Sequence, residues 1–330
     1  RIFTRRFGAV KMRTRTIGPW EVSAMGLGCM QLSGMSRVNA PILKDTEQAF
    51  GVIHAALDAG VTLLDTADIY APSWDTFGHN ESLVGAAFNS WSGSKHQKSK
   101  VIIATKAGIT RGPGESWGRS SSLDYLLRAV ENSTMRLGVG KIQLWQHHRL
   151  DPSMIFEDQF ENVLELQARG LVERIGVSNY NAKQLRRAIK VGGTPTQGGL
   201  VSVQNEYSPR YRHEAEVIEI CEAYGIAYLP WSPLGGIRNA RQLGGGDFAA
   251  FGELGQQKGV SAFAMTVAWL LHISSTMIPI PGTTRVSSLL DDFEGVGISL
   301  TADEMKYLNS SLPVSAPIDD ELLDQPPFRD

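Results

Sequence analysis

Short apolar runs alternate with longer amphipathic segments along most of this 330-residue chain. The longer segments place apolar residues at helical spacing, and several end at a glycine, as at Gly60, Gly138 and Gly225. Strands that alternate with helices pair in parallel, so the pattern predicts an α/β fold. Eight runs are typical of β-strands, at residues 24–29, 61–65, 101–106, 142–148, 175–178, 200–205, 226–231 and 276–280.

One strand–helix period runs through the chain without a mid-chain linker or a shift in composition. Together with the shortness of the strands, this favours a closed (β/α)8 TIM barrel over an open, doubly wound sheet. Residues 14–22 precede the first barrel strand and predict a β-hairpin that plugs the bottom of the barrel. We therefore expect one domain over residues 13–330, after a flexible segment at residues 1–12.

Long loops are predicted at residues 107–121 and 232–247, where about 2–6 residues would be usual, and residues 311–330 form a tail. Both loops follow strands, on the face where barrel active sites form. Trp74 and Trp117 lie in loops expected at this mouth and are the candidate substrate contacts. Asn80 is the predicted N-cap of a helix over residues 81–88.

Polar groups that can deliver a proton follow three of the predicted strands. Asp65 ends one strand and Tyr70 lies shortly after it, while Lys106 ends the next strand. A lysine at this position needs a partner against the cost of desolvation, and Asp65 is the obvious counter-ion. His147 and His148 end a further strand, where alternation allows only one of them to point into the site. The strand phase alone does not say which.

Composition excludes several classes of partner. The formal net charge of −2 gives no reason to expect nucleic acid or an anionic membrane, and no apolar run approaches the roughly 18 residues of a membrane span. Cys29 and Cys221 lack the spacing of a disulfide framework or a zinc site, so no metal is expected. Two free thiols and the absence of a signal-like apolar run predict a cytoplasmic protein.

Several motifs give this chain a family resemblance. From residue 13 to about residue 312 it resembles an aldo-keto reductase, and the motifs occur in the order typical of that family. They are Gly26-Leu27-Gly28-Cys29-Met30, Asp65-Thr66-Ala67-Asp68-Ile69-Tyr70, Asn80-Glu81-x-x-x-Gly85, Thr105-Lys106, His148-Arg149-x-Asp151-Pro152, Gly176-Val177-Ser178-Asn179, Val203-Gln204-Asn205-Glu206-Tyr207, Trp231-Ser232-Pro233-Leu234-Gly235 and Ile280-Pro281-Gly282-Thr283.

The resemblance implies a catalytic tetrad of Asp65, Tyr70, Lys106 and His148. It also implies NADPH-dependent reduction of an aldehyde or ketone to the alcohol, with hydride from the nicotinamide and a proton from Tyr70. The Lys106 cation would lower the pKa of Tyr70, and His148 would orient the carbonyl. His147 stands where the family usually has an apolar residue, so its expected role is structural.

The same resemblance implies a set of cofactor contacts. Trp231 replaces the usual Tyr or Phe, and Ser288 and Asp292 replace Arg and Asn of many members. Arg285 can grip a 2′-phosphate, whereas Asp291 and Asp292 oppose it, so NADPH is expected over NADH by a modest margin. The implied contacts are Gly28, Cys29, Met30, Asp65, Ser178, Asn179, Gln204, Trp231, Ser232, Pro233, Leu234, Gly282, Thr283, Thr284, Arg285, Ser288, Asp291 and Asp292.

The partner is expected to be a small-molecule carbonyl compound, and the protein a monomer or weak homo-oligomer. The Gly-rich stretch with Trp117 resembles bacterial members grouped with pyridoxal reductases, which favours an aromatic aldehyde; sugar-derived ketones and xenobiotic carbonyls stay open. Two alternatives remain. One is a Schiff-base aldolase that uses Lys106, and the other is a non-catalytic binding protein like the potassium-channel β-subunits of the family.

Overall fold

The computed structural model describes residues 13–34 and 46–316. The predicted flexible segment 1–12 and the tail beyond residue 316 lie outside these ranges. The strands are β1 (Thr14–Ile17), β2 (Trp20–Ser23), β3 (Leu27–Gly28), β4 (Leu63–Asp65), β5 (Ile102–Ala107), β6 (Ile109–Gly112), β7 (Ser116–Arg119), β8 (Ile142–His147), β9 (Val172–Ser178), β10 (Ser202–Gln204) and β11 (Ala227–Tyr228).

Helices separate and flank the strands. They are α1 (Thr46–Asp58), α2 (His79–Ser90), α3 (Lys95–Lys98), α4 (Leu123–Leu137), α5 (Phe156–Ala168), α6 (Ala182–Gly192), α7 (Ala215–Tyr224), α8 (Gly236–Asn239), α9 (Ala249–Lys258), α10 (Ala262–Ile273), α11 (Val286–Glu294) and α12 (Ala302–Ser311).

A parallel sheet of seven strands forms the centre of the molecule, in the order β11-β10-β9-β8-β5-β4-β3. The eighth predicted run, residues 276–280, closes this sheet through backbone hydrogen bonds on both of its sides. The N–H of Ile278 donates to the carbonyl of Tyr228 at 2.8 Å, and the N–H of Gly26 donates to the carbonyl of Pro279 at 2.9 Å. The α/β class and the predicted barrel are thereby confirmed.

Apolar side chains pack on both faces of the barrel wall. Leu63, Ala104 and Leu144 point inward and form one buried cluster. Trp145 and Phe160 belong to a larger cluster between the wall and the outer helices. Side chains that alternate along a strand thus fill the interior with one set and anchor the helices with the other.

Strands β1 and β2 pair as an antiparallel hairpin, from Thr14 opposite Ser23 to Ile17 opposite Trp20. Ile17 and Val22 are buried in the inner cluster of the barrel. That the hairpin plugs the bottom of the barrel stays a prediction.

The two long loops are more ordered than the sequence indicates. Residues 107–121 contain the antiparallel pair β6–β7, in which Arg111 lies opposite Trp117. Residues 232–247 contain α8 and short 3-10 turns. Glycines at positions 112, 114 and 118 interrupt the apolar alternation of the first segment. The sequence pattern therefore does not predict strands β6 and β7.

The prediction that Asn80 caps a helix is wrong. Helix α2 begins at His79, and the Asn80 side chain is buried inside its first turn. Its amide nitrogen donates to the Cys29 carbonyl at 2.8 Å, and its oxygen accepts from the Thr66 hydroxyl at 2.6 Å. Asn80 therefore ties α2 to the segments that follow β3 and β4, next to the predicted catalytic residues.

Candidate active site

A buried ion pair lies at the carboxyl ends of β4 and β5. Lys106 Nζ is 2.7 Å from Asp65 Oδ2, and the two side chains are 0% and 4% exposed. The ammonium also donates to the Thr66 carbonyl at 2.8 Å. Removing two charges from water is costly, so a pair of this kind needs close contact and further hydrogen bonds to be stable. Both conditions are met here.

Tyr70 adjoins this pair from the segment after β4. Its hydroxyl is 3.4 Å from Lys106 Nζ, and the ammonium lies 5.0 Å from the centre of its ring. The residue keeps 8% of its surface exposed, whereas Lys106 keeps none. The phenol is therefore the member of this group with access to the mouth of the barrel.

Burial and charge act in opposite directions on the phenol and the ammonium. Burial raises the pKa of Tyr70, and the Lys106 cation only partly offsets this effect. Burial alone would lower the pKa of Lys106, but the charge of Asp65 and the contact with Tyr70 raise it overall. Lys106 is thus charged and Tyr70 protonated near neutral pH. Lys106 does lower the pKa of Tyr70, as expected, but burial has the larger effect and the net pKa is raised.

His148 lies on the same side of the strand as the ion pair. Its ring packs edge-on to the Tyr70 ring, with 6.0 Å between the centroids. Burial, followed by the positive charge of Lys106, lowers the pKa of His148 well below its ordinary value. The imidazole is therefore neutral at pH 7 and has one N–H to donate.

His147 points the other way, into the layer between the wall and the helices. Its Nδ1 lies 2.7 Å from the Tyr180 hydroxyl and its Nε2 lies 2.8 Å from the Ser121 hydroxyl. Burial lowers the pKa of His147 to about 3. Both ring nitrogens are occupied by structural hydrogen bonds, as expected for a packing role.

Two glutamines complete the surroundings of Asp65. Gln204 Nε2 donates to Asp65 Oδ1 at 2.8 Å, and Gln146 Nε2 lies 3.3 Å from the same oxygen. The sequence predicts Gln204 as a cofactor contact but does not single out Gln146. The signal for Gln146 is its strand phase, because it lies two residues before His148 on β8.

Asn179 and Trp231 form a second group at the same end of the barrel. The Trp231 indole N–H donates to Asn179 Oδ1 at 3.2 Å, and Asn179 Nδ2 donates to the His148 carbonyl at 3.2 Å. Asn179 and Ser232 adopt positive φ angles of 59° and 48°, which are uncommon for residues other than glycine. Strained backbone of this kind is often found at ligand-binding loops. A Phe or Tyr in place of Trp231 would lack this ring N–H.

The remaining predicted cofactor contacts are Ser178, at the end of β9, and residues that lie at or after the carboxyl ends of β3, of β11 and of the closing segment. Gly28 and Gly282 pair across the barrel closure. Ser178 donates through its hydroxyl to the Gln204 carbonyl at 2.8 Å. The others in these three segments are Cys29, Met30, Pro233, Leu234, Thr283 and Thr284.

Helix α11 carries the residues expected to meet the adenosine end. Arg285 is exposed at its N-terminal boundary, and Ser288 is half-buried in its first turn. Asp291 Oδ2 accepts from the Ser261 hydroxyl at 2.6 Å. Burial and the neighbouring Asp291 raise the pKa of Asp292 to about 8. Near neutral pH Asp292 is therefore largely protonated and adds little negative charge at this end of the site. An exposed guanidinium with hydroxyls at a helix N-terminus fits a phosphate group.

The two candidate substrate tryptophans lie in segments that meet at the mouth. Trp74 is 39% exposed, in a 3-10 turn shortly after Tyr70. Trp117 is half-buried on β7. The backbone N–H of Trp74 donates to Glu115 Oε1 at 3.0 Å, which links this turn to the β6–β7 hairpin.

Within residues 13–34 and 46–316, no group of three or more His, Cys, Asp or Glu side chains has the arrangement of a metal site. No helix in the same ranges has both the length and the apolar character needed to cross a bilayer.

Comparisons with known proteins identify relatives of this chain. Residues 24–313 match the model of the aldo/keto reductase family. An uncharacterised oxidoreductase of Schizosaccharomyces pombe is 31% identical over 297 residues, which are 90% of this chain and 89% of that protein.

Two solved structures are similar in fold. A thermostable aldo-keto reductase in complex with the inhibitor epalrestat is 26% identical, with a TM-score of 0.72 over 91% of this chain and 100% of that one. A protein assigned as a 2,5-diketo-D-gluconic acid reductase B is 20% identical, with a TM-score of 0.72 over 94% of this chain and 96% of that one. The second likeness concerns the fold alone.

Proposed function

Because the chain belongs to the aldo/keto reductase family, we propose that it reduces an aldehyde or ketone to the alcohol with NADPH. The observation that carries the proposal is the contact of the Tyr70 hydroxyl with Lys106, itself paired with Asp65. This arrangement places a protonated phenol beside a fixed positive charge. A bound nicotinamide would supply the hydride that the carbonyl carbon accepts.

Tyr70 acts as the proton donor. Negative charge builds on the carbonyl oxygen as the carbon accepts hydride, and the phenol transfers its proton to that oxygen. The transfer leaves a phenolate, which burial disfavours, so the Lys106 cation at 3.4 Å stabilises it. Asp65 holds Lys106 charged and in place. His148, neutral at pH 7, donates a hydrogen bond that orients the carbonyl oxygen.

The cofactor is held by the groups at the carboxyl ends of the strands. We assign the nicotinamide carboxamide to Ser178, Asn179 and Gln204, and the nicotinamide ring to the face of Trp231. Arg285 binds the 2′-phosphate of NADPH. The proton held by Asp292 near neutral pH removes part of the expected repulsion, which supports NADPH over NADH.

Oxidation of NADPH in the presence of a panel of aromatic aldehydes, aliphatic aldehydes, ketones and keto-sugars tests the function. Turnover of at least one class, together with the alcohol as product, is the expected result. Turnover of none, by a folded protein that binds NADPH, would favour a non-catalytic binding protein instead. We place aromatic aldehydes first, because Trp74 and Trp117 offer flat apolar surface at the mouth.

The raised pKa of Lys106 argues against the Schiff-base aldolase. Attack on a carbonyl needs a neutral amine, and catalytic lysines of that class have lowered pKa values. Asp65 and Tyr70 keep Lys106 protonated instead. Borohydride treatment in the presence of substrate should therefore leave the protein without a covalent adduct at Lys106.

Arg285→Ala is expected to weaken NADPH binding by roughly 10- to 150-fold, since a charge-assisted contact contributes about 1.5–3 kcal/mol. NADH lacks the 2′-phosphate and should bind almost as before. Titration of both cofactors by tryptophan fluorescence quenching measures the difference. Arg128→Ala, an exposed arginine on α4, is the matched control and should change neither affinity. Equal losses for both cofactors would place Arg285 away from the 2′-phosphate.

His148→Gln is expected to lower kcat/KM more than His147→Gln does. His148 lies beside the Tyr70 ring, whereas His147 bonds to Ser121 and Tyr180 outside the barrel interior. Steady-state kinetics of both folded variants with one substrate provide the comparison. A larger loss in the His147 variant would show that the wrong histidine has been assigned.

The pH dependence of stability gives a separate check on the burial of His147. Folded His147 has a pKa of about 3, against an ordinary value of about 6.5. Between these values the unfolded chain binds a proton that the folded chain does not, so His147 makes the protein less stable as the pH falls. The stability difference between wild type and His147→Gln should thus shrink from pH 7 to pH 5 in urea unfolding.

We further propose that residues 13–330 act as one domain and that the protein works in the cytoplasm as a monomer or weak homo-oligomer. The inner cluster of the barrel draws on β4, β5, β8 and β11, so these strands share one core. Light scattering at micromolar concentration measures the oligomeric state.

A further inference from the structure

One arginine of the β6–β7 hairpin lies against the loop that carries Tyr70. Arg111 is on β6, and its side chain is 5% exposed. Its Nη1 donates to the carbonyl of Ala71 at 2.7 Å and lies 3.4 Å from that of Ile69. Its Nη2 donates to the carbonyl of Pro72 at 3.2 Å. The guanidinium therefore spans the backbone on both sides of Tyr70.

The carbonyl of Tyr70 itself has a different donor, the backbone N–H of Asn80 at 2.9 Å. Each carbonyl from residue 69 to residue 72 thus faces a donor from another element. A loop would ordinarily leave such carbonyls to water. Here the backbone around the phenol is fixed from β6 on one side and from α2 on the other.

The guanidinium of Arg111 is itself held in orientation. Glu115 Oε2 accepts from Arg111 Nε at 2.5 Å, and the Trp117 ring centre lies 4.9 Å from Arg111 Cζ. Glu115 adopts a positive φ of 62°, an uncommon conformation for a residue with a side chain. The other carboxylate oxygen of Glu115, Oε1, accepts from the backbone N–H of Trp74. Glu115 therefore links the arginine, the hairpin tip and the turn at the mouth.

An arginine suits this position better than a lysine does. Its planar fork presents five N–H donors at fixed angles, so one side chain can reach several carbonyls and a carboxylate together. The hydrogen bonds of Arg111 run to backbone carbonyls and to Glu115, and the ion pair of Asp65 and Lys106 is separate from them. Its three bonds to the backbone beside Tyr70 therefore give Arg111 a route to the chemistry through the position of the phenol.

We propose that Arg111, braced by Glu115 and Trp117, is a positioning residue that holds the Tyr70 hydroxyl in place for proton transfer. This proposal rests on the proposed function, since it requires Tyr70 to be the proton donor. The phenol must meet both Lys106 and the carbonyl oxygen of the substrate. A misplacement of about 1 Å, caused by a change remote from the chemistry, can lower the rate by about 10²-fold.

Arg111→Met is expected to lower kcat by about 10- to 100-fold while the NADPH dissociation constant stays within about twofold of wild type. Arg111→Lys should recover only part of the loss, because a single ammonium cannot span the same carbonyls. Arg119→Met is the matched control. It lies on β7 of the same hairpin, but its guanidinium bonds to the Leu150 carbonyl at 3.3 Å, so kcat should stay near wild type.

Combination with Tyr70→Phe separates positioning from a general structural role. If Arg111 acts through the phenol, Arg111→Met should cause no further loss of kcat in the Tyr70→Phe background. An undiminished loss in that background would overturn the proposal, and so would a wild-type kcat in the single Arg111→Met variant. If Tyr70→Phe itself has wild-type kcat, the proposed proton donor fails instead.

A second variant keeps the test decisive if Arg111→Met does not fold. Glu115→Ala removes the carboxylate that accepts from Arg111 Nε, and this side chain is 38% exposed. A fall in kcat that disappears in the Tyr70→Phe background supports the proposal. A kcat equal to that of wild type in the folded Glu115→Ala protein overturns it.

Discussion

Tyr70→Phe should lower kcat by about 10²-fold or more, the usual scale of general acid catalysis. The substitution removes one hydroxyl from a residue that is 8% exposed and keeps the ring that packs against His148. The lost group is the proposed proton donor to the developing alkoxide. Steady-state kinetics with the best carbonyl substrate of the panel give the measurement.

Two controls accompany the Tyr70 experiment. NADPH should bind to Tyr70→Phe with nearly the wild-type dissociation constant, and thermal unfolding should shift little, because the ring contacts are retained. A rate that falls further with 4-deuterated NADPH shows that hydride transfer limits turnover. Near-wild-type kcat under that condition would rule out Tyr70 as the acid.

Of the variants proposed for this protein, Lys106→Met is expected to lower the free energy of unfolding most, by about 3–5 kcal/mol. Lys106 is fully buried, and its removal leaves the Asp65 carboxylate in the interior without its counter-ion. Gln204 still donates to Asp65, but a neutral amide cannot balance a full charge. The free energy of unfolding, measured in urea, should fall by this amount, and kcat should fall as well because the Tyr70 phenolate loses its cation.

Two controls separate the effect of losing a buried charge from the effect of losing any lysine charge. Lys141→Met removes an exposed lysine and should change the free energy of unfolding by less than about 0.5 kcal/mol. Asp65→Asn combined with Lys106→Met leaves no buried charge at this position and should regain part of the lost stability. A Lys106→Met protein as stable as wild type would show that the pair is not held as the structure describes.

Local sequence patterns carry enough information to predict the strands and the group at their ends. Asp65, Lys106 and His148 each follow an apolar run, and parallel strands bring their carboxyl ends to one face. The structure places these residues together with Tyr70. The choice of His148 over His147 comes from the family resemblance, because strand alternation alone fits either histidine.

What the sequence cannot show is how far each group is buried and which distant residue it meets. Asn80 has the local signature of a helix cap, yet its amide bonds to Cys29, about 50 residues earlier in the chain. The net pKa shift of Tyr70 depends on burial, which strand patterns do not measure. The contacts of Arg111 with Ile69, Ala71 and Pro72 join two segments whose spacing in sequence gives no signal.

The closure of the barrel has a consequence for the order of folding events. The N–H of Gly26 reaches the carbonyl of Pro279, so the first and last strands of the ring are about 250 residues apart in sequence. Loop-closure entropy makes contacts of such long range slow to form. Until residues 276–282 leave the ribosome, β3 and β11 both present open edges to other chains. We therefore expect the nascent protein to be most prone to aggregation before its last strand joins the sheet.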